Sequence, residues 1–97
     1  MTTINGYYET KNASKYLQQL CKHFGNKVEA SFDADKGWVA FIMGTVHLSA
    51  DSEGLTAVCD VKDEASVQSV HHVIDSHLAR FAFREEFKSM NWTQEPS

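Results

Sequence analysis

The chain has 97 residues, of which 42% are hydrophobic and 23% are charged, and its formal net charge is −4. This length supports one hydrophobic core and therefore a single domain over residues 1–97, of which we expect 1–5 and 94–97 to be frayed. The negative charge and the lack of a basic run exclude nucleic acid as the expected partner, and no segment approaches the roughly 20 apolar residues that a membrane span requires.

Apolar residues at a spacing of three and four predict a first helix over residues 13–24. Asn12 is expected to cap its N-terminus and Gly25 to end it, because these residue types favour the two helix ends. The predicted buried face of this helix consists of Ala13, Tyr16, Leu17, Leu20, Cys21 and Phe24.

After this helix apolar residues alternate with polar ones, which is the period of a β-strand. Turn-forming residues separate four such stretches, and Gly44 lies between two of them. Because short turns join antiparallel neighbours, we predict four successive antiparallel strands. Their ranges are 27–32, 38–43, 45–50 and 55–61.

A second helix is predicted after Asp63, which has the residue type of an N-cap. Flanking segments 7–10 and 90–93 are predicted to add edge strands. The fold class is therefore α+β, with two helices packed on one face of a curved antiparallel sheet in the order β-α-β-β-β-β-α-β. This order is similar to one half of a TATA-box-binding-protein-like fold, a likeness of architecture that implies no DNA binding. The buried stripe of the second helix is predicted to be Val67, Val70, Ile74, Leu78 and Phe81.

The two cysteines, Cys21 and Cys59, are too few and too far apart for a disulfide framework. Both fall on apolar faces of predicted elements, so we expect reduced, buried thiols. The N-terminus has neither a basic stretch nor an apolar run, which argues against secretion. We therefore expect a cytoplasmic protein.

Five histidines raise the question of a metal site, but none of them forms an i, i+4 pair and Cys-x-x-Cys does not occur. We therefore expect no metal and no cofactor, and we place His71 and His72 on the surface of the second helix. His77 lies beside the apolar stripe of that helix. It is either a hydrogen-bonded, half-buried residue or a proton-transfer group.

Two arginines, Arg80 and Arg84, lie at the end of the second helix. They either complement the negative end of the helix dipole or form an anion site, since guanidinium groups bind carboxylate and phosphate. Glu85 follows directly. Arg84 and Glu85 are accordingly expected to form either an ion pair that clamps the helix end or part of a recognition patch.

Two segments carry a family resemblance: residues 16–24 (YLQQLCKHF) with Lys27, and residues 77–85 (HLARFAFRE) with Trp92. Together with Gly44, they make the chain similar to the bacterial family called domain of unknown function 2218. The second segment is the more specific one, because its aromatic residues and arginines rarely occur together in this order.

The resemblance covers residues 10–92 and implies a small bacterial protein without an established activity. Some family members carry a name that suggests a dihydroxyheptenedioate aldolase. We discount that name, because such metal-dependent aldolases are much longer barrel enzymes and this sequence shows neither their ligand set nor a recognisable Schiff-base lysine. Asn26 stands where the family pattern has histidine, so the resemblance implies no metal or acid-base role at that position.

Two functional hypotheses follow from these residues. The first is a non-enzymatic ligand-binding or accessory domain with a patch where the two helix ends meet, and its partner is an anionic small molecule or an acidic protein. The second is a small enzyme that uses His77 or His23 as an acid-base group. The candidate patch consists of Lys22, His23, Lys27, His77, Arg80, Arg84 and Glu85.

The sheet face away from the helices is predicted to carry an apolar strip. If Val39, Phe41 and Met43 face the core, alternation places the intervening residues on the outside, next to Val58. A monomer should not leave such a strip exposed, so we expect a homodimer through it or a ligand bound to it. The outward residues are Trp38, Ala40 and Ile42.

Overall fold

The computed structural model, which describes residues 2–42, 44–85, 87 and 89–96, places helices and strands in the predicted order. A 3₁₀ turn (Phe83–Glu85) follows the second helix almost directly. The bounds of the other elements are β1 (Thr2–Glu9), α1 (Ala13–Phe24), β2 (Ala30–Phe32), β3 (Lys36–Phe41), β4 (Gly44–Ala50), β5 (Gly54–Val61), α2 (Glu64–Phe81) and β6 (Asn91–Pro96).

The strands form one antiparallel sheet in the order β2-β3-β4-β5-β1-β6, and α1 and α2 pack against it. Strand β1 lies between β5 and β6, so that Ile4 pairs with Cys59 on one side and with Gln94 on the other. The predicted α+β fold is confirmed. The two helices are in contact, which brings their C-terminal ends to the same region of the molecule.

The core forms from the residues that the helical period selects. All six residues predicted for the buried face of α1 are buried, and so are Val67, Val70, Ile74 and Leu78 of α2. Phe81 is half-buried, because it stands at the end of α2 where the sheet no longer covers it. Asp63 caps α2 as expected, since its carboxylate accepts a hydrogen bond of 2.8 Å from the backbone N–H of Ser66.

The start of α1 differs from the expectation. Asn12 occupies the N-cap position, but its side chain makes no capping hydrogen bond and instead donates to Glu85 Oε2 over 2.9 Å. The hydrogen bond from its Nδ2–H to the charged carboxylate fixes the orientation of the amide, and its oxygen does not accept from the helix N–H groups. Asn12 therefore holds the predicted N-cap position, but its side chain does not cap the helix.

Strand boundaries also shift. The backbone N–H of Val28 donates to the carbonyl of Phe24 over 2.9 Å, which completes the helix end, so β2 begins only at Ala30. Residues 2–5 and 94–96, for which the sequence predicts fraying, lie in strands that pair with each other. The fraying predicted for Met1 and Ser97, and the inward orientation predicted for Met43, concern residues outside the described ones.

Trp92 joins β6 to α2. Its indole N–H lies 2.9 Å and 3.1 Å from the two carboxylate oxygens of Asp75, and the same carboxylate accepts a 3.0 Å bond from the backbone of Met90. The indole lies over Gly6, where a Cβ atom would stand only 2.7 Å from the ring. His71 stacks on the other side with ring centroids 4.3 Å apart, so it is half-buried and not the surface residue predicted.

The cysteines behave as expected. Cys21 and Cys59 are free and buried, and burial raises the pKa of each thiol to about 11. At neutral pH both are therefore protonated, which leaves them poorly reactive. Within the described residues, neither helix has the length and apolar character needed to cross a bilayer.

Candidate functional site

A groove of about 500 Å³ lies between α1 and the end of α2. Three cationic side chains line it, Lys15 from α1, Arg80 from α2 and Arg84 from the 3₁₀ turn. Two aromatic side chains, Phe81 and Phe83, contribute apolar surface. No acidic side chain is found among the lining residues in the described part of the chain. The groove thus combines positive charge with apolar surface.

The end of α2 positions the two arginines. Ala82 is fully buried, and its backbone N–H donates to Leu78, which continues the helical pattern for one residue beyond Phe81. The chain then tightens into the 3₁₀ turn, and this turn presents Arg84 to the same groove as Arg80. Phe83 is 66% exposed, and the Arg84 guanidinium lies 5.7 Å from the centre of its ring. At this distance the guanidinium and the ring attract each other through a cation–π contact.

Glu85 lies behind the groove in a cluster of neutral donors. Its Oε1 accepts from the hydroxyls of Tyr8, over 2.9 Å, and Thr10, over 2.8 Å. Its Oε2 accepts from the Asn12 amide, over 2.9 Å, and from the hydroxyl of Tyr16. All four of these hydrogen bonds come from uncharged groups. We call these five residues the Glu85 cluster.

The cluster fixes the charge of Glu85. Partial burial opposes ionisation of the carboxyl group, but the hydrogen bonds from Tyr16, Asn12, Thr10 and Tyr8 outweigh it and lower the pKa to about 2. Burial and the hydrogen bonds to Glu85 raise the pKa of Tyr8 and of Tyr16 to about 12. Glu85 is therefore an anion at physiological pH, and both tyrosines are neutral donors.

The prediction that Glu85 forms an ion pair with Arg84 is wrong, because Glu85 has other partners. Glu85 is a helix-end clamp, but it holds β1 and the start of α1 rather than Arg84. Adjacent residues in a 3₁₀ turn point in different directions, so Arg84 faces the groove while Glu85 faces the core side. Tyr8, Thr10 and Asn12 lie more than 70 positions from Glu85 in sequence, and no local pattern indicates this contact.

The structure brings His23 and His77 together at the C-terminal ends of the two helices. Their ring centroids are 4.7 Å apart, and both rings lie against Phe24. The Nδ1–H of His77 donates to the backbone carbonyl of Val73 over 2.7 Å, which leaves Nε2 as its free nitrogen. Burial, His77, Lys27 and Arg80 lower the pKa of His23. These surroundings therefore favour the neutral form of His23.

The remaining residues of the predicted patch are not all in one place. Lys27 follows α1 and is near enough to His23 to affect its pKa. Lys22 is exposed in the last turn of α1 and does not line the groove. Conversely, Lys15 lines the groove although it is absent from the predicted patch. It lies near the start of α1 on the exposed side, so a search restricted to helix C-terminal ends does not find it.

Comparisons with known proteins give a family and a fold. A family model described as "Uncharacterized protein conserved in bacteria (DUF2218)" matches residues 5–93. The chain belongs to this family. The resemblance seen in residues 16–24 and 77–85 is thereby confirmed.

A solved structure shares this DUF2218 fold. The chain is similar to a protein described as "NMR structure of PA4090 from Pseudomonas aeruginosa", with 26% sequence identity and a TM-score of 0.76. The alignment covers 99% of this chain and 97% of the other. None of the curated proteins compared with the sequence matches it. The family and fold are therefore shown, and the function has to be argued from the site.

A second cavity of about 490 Å³ lies on the open face of the DUF2218 sheet. Trp38, His47 and Val58 are cross-strand neighbours in it, and Asp33 and Lys36 place opposite charges at its side. The Asp33 carboxylate accepts from the backbone N–H groups of Asp35 and Lys36, so it is used by the turn. This cavity lacks the clustered like charge of the groove, and we assign it no ligand.

Metal binding has no geometric support in the described ranges. Among residues 2–42, 44–85, 87 and 89–96, no three His, Cys, Asp or Glu side chains are arranged to hold an ion together. The cations Lys27 and Arg80 near the histidine pair would also oppose a metal ion there.

Proposed function

We propose that this DUF2218 protein is a non-enzymatic binding domain whose groove holds a small organic anion. The observation that carries the proposal is the convergence of Lys15, Arg80 and Arg84 on one groove of about 500 Å³ whose lining also includes Phe81 and exposed Phe83. A volume of this size suits a small ligand. The arginines supply bidentate donors for a carboxylate, sulfonate or phosphate, and the rings supply apolar contact.

Electrostatics support an anionic ligand in spite of the overall charge of −4. The Glu85 carboxylate is bonded to Asn12 and Tyr16 of the groove lining, and the four hydrogen bonds described for it all come from neutral donors and none from an arginine. A concave site lined by one sign of charge concentrates counter-ions even on a molecule of the opposite net charge. An acidic protein segment has the same chemistry and is the alternative ligand, but a groove of about 500 Å³ favours a compact one.

Binding should depend on the arginines. In calorimetric titrations with a panel of aromatic carboxylates and sulfonates, we expect Arg80→Ala and Arg84→Ala each to weaken binding about tenfold or more, because each removes charge-assisted hydrogen bonds. Both residues are exposed, so the melting temperatures should stay close to that of the wild type. The matched control is Lys62→Ala, which removes an exposed cation that does not line the groove.

Three outcomes would contradict the proposal. The first is that no anion in the panel saturates the protein, and the second is that Lys62→Ala weakens binding as much as the arginine variants. Saturable binding only of acidic proteins would replace the small-molecule ligand by a protein partner. Each outcome is distinct in the same set of titrations.

A second candidate function rests on the histidine pair. His23 and His77 lie 4.7 Å apart, and His77 has a free Nε2, so either ring is placed to act as an acid-base group in a small enzyme. Incubation of every bound anion with the protein, followed by product analysis, separates the two functions. Turnover that His23→Gln abolishes would establish the enzyme, and saturable binding without turnover supports the binding domain.

Self-association through the open sheet face stays a prediction. Val39 faces the core and Phe41 packs against it, as expected, while Trp38 and Ala40 are half-buried and Ile42 is fully exposed. Neighbouring His47 and Ser49 make this face more polar than a continuous apolar strip. If it forms a homodimer, light scattering should show a doubling of mass that Trp38→Ala reverses. A monomer at high micromolar concentration would contradict it.

A cytoplasmic location is part of the same proposal. Two free, buried thiols are compatible with a reducing compartment. An organic anion of metabolism would be available to the groove there.

A further inference from the structure

The histidine pair is connected to the groove by one aromatic ring and one arginine. The ring of Phe81 lines the groove, and its centroid is 6.2 Å from that of His23. Arg80 also lines the groove and follows His77 by three residues, which places both on the same side of α2. A ligand held by Arg80 would therefore sit beside the two imidazoles.

The surroundings of His23 favour its neutral form. His77 and Arg80 face it from α2, and Lys27 faces it from the turn after α1, so each neighbouring group that affects it is basic. Phe24 and Phe81 flank it without charge, and Phe41 of β3 lies behind Phe24 with centroids 4.9 Å apart. An anion bound to Arg80 would add the first negative charge to this group and so favour an imidazolium ion.

We propose that the groove takes up a proton when it binds its anion, with the His23–His77 pair as the proton acceptor, so that the anion is held more tightly as the pH falls. This inference rests on the proposed anion-binding function. The proton comes from solvent and adds to a free imidazole nitrogen, and no other bond is made or broken. One proton serves the pair, because two imidazolium ions 4.7 Å apart would repel each other.

The linkage has a definite sign. Because the anion stabilises the protonated pair, the protonated protein binds the anion more tightly, and the affinity falls as the pH rises. The magnitude is that of one partly exposed charge pair, which corresponds to about a two- to fourfold change in affinity. The groove would consequently hold its ligand less tightly when the medium becomes more alkaline.

The test uses naphthalenesulfonate, which carries the same charge throughout the range from about pH 6 to about pH 8. Calorimetric titrations in buffers with different enthalpies of ionisation give both the dissociation constant and the number of protons taken up per anion. We expect fractional proton uptake and a dissociation constant about twofold or more lower at the acid end. In the double variant His23→Gln/His77→Gln both effects should disappear, while the matched control His72→Gln, which changes an exposed histidine of α2, should keep them.

The outcomes separate this inference from the proposed function. Binding of the sulfonate without proton uptake, or uptake that persists in the double variant His23→Gln/His77→Gln, overturns the proton linkage and leaves the anion-binding groove intact. If neither this sulfonate nor any other anion of the panel binds at any pH, the proposed function itself falls. An NMR titration of the wild-type imidazoles, with and without the sulfonate, tests the proton linkage without a variant. The linkage requires one histidine of the pair to titrate at higher pH in the complex than in the free protein.

Discussion

Replacing Glu85 by alanine should destabilise the protein by about 2–3 kcal/mol, because it leaves four donors without their acceptor. Two of these donors, Tyr8 and Tyr16, are half-buried or buried, so water does not fully replace the carboxylate. Urea unfolding followed by circular dichroism measures the loss. For a domain of this size that is a large part of the total free energy of unfolding.

The contribution of Glu85 should also depend on pH with a definite sign. The pKa of Glu85 is about 2 in the folded protein and near 4.5 without these contacts. The folded state therefore gains from the ionised carboxylate above about pH 4.5, and this gain is lost as the pH falls from there towards about pH 2. The stability difference between the wild type and Glu85→Gln should shrink over that window.

Glu29→Ala is the matched control for both measurements, because it removes an exposed glutamate outside the cluster. Its effect should be small and without a comparable pH dependence. A Glu85→Ala protein as stable as Glu29→Ala at neutral pH would show that the cluster contributes little. Glu85→Ala should also weaken anion binding in the groove, since loss of the Glu85 cluster should loosen the 3₁₀ turn that carries Arg84.

Gly44→Ala should be at least as damaging, with a loss of about 2–4 kcal/mol, because two independent penalties coincide there. Gly44 has a φ of 152°, a backbone conformation that residues with a Cβ rarely adopt. A Cβ atom would also lie 2.5 Å from the carbonyl oxygen of Asp60 on the neighbouring strand and 3.1 Å from the sulfur of Cys59. Backbone atoms in the middle of a paired sheet cannot move away without breaking the strand pairing.

The comparison variant for this glycine is Thr45→Ala, one residue further along β4. It alters a side chain without changing the backbone conformation, so its cost should be below about 1 kcal/mol. Thermal unfolding of both variants measures the difference in stability, and Gly44→Ala should have the lower melting temperature. Equal melting temperatures would mean that the sheet accommodates a methyl group at position 44 more easily than the geometry indicates.

Much of the fold could be predicted from periodicity alone. The buried face of α1 is the one that the spacing of Ala13, Leu17, Leu20 and Phe24 selects, because a helix with one apolar stripe has a single way to face a core. The pairing of β1 between β5 and β6 is different. It joins segments far apart in sequence, and periodicity gives no information about which strands become neighbours.

The site shows the same division. Arg80 and Arg84 stand out in sequence because they are close together at a helix end, and both line the groove. Lys15 and the donors to Glu85 do not stand out, since they come from α1 and β1 and meet the 3₁₀ turn only in three dimensions. Residue types therefore indicated the chemistry of the groove, whereas the full set of residues that line it depended on tertiary packing.

The position of β1 within the sheet has a consequence for folding kinetics. Strands β2 to β5 are joined by short turns and pair with their sequence neighbours, so these contacts close small loops and form early. Strand β6 cannot join the sheet until β1 has paired with β5, because β1 is the strand to which β6 is hydrogen-bonded. Closure of the sheet by the two ends of the chain should thus be the slow step, and Trp92 would reach Asp75 and Gly6 only when folding is nearly complete.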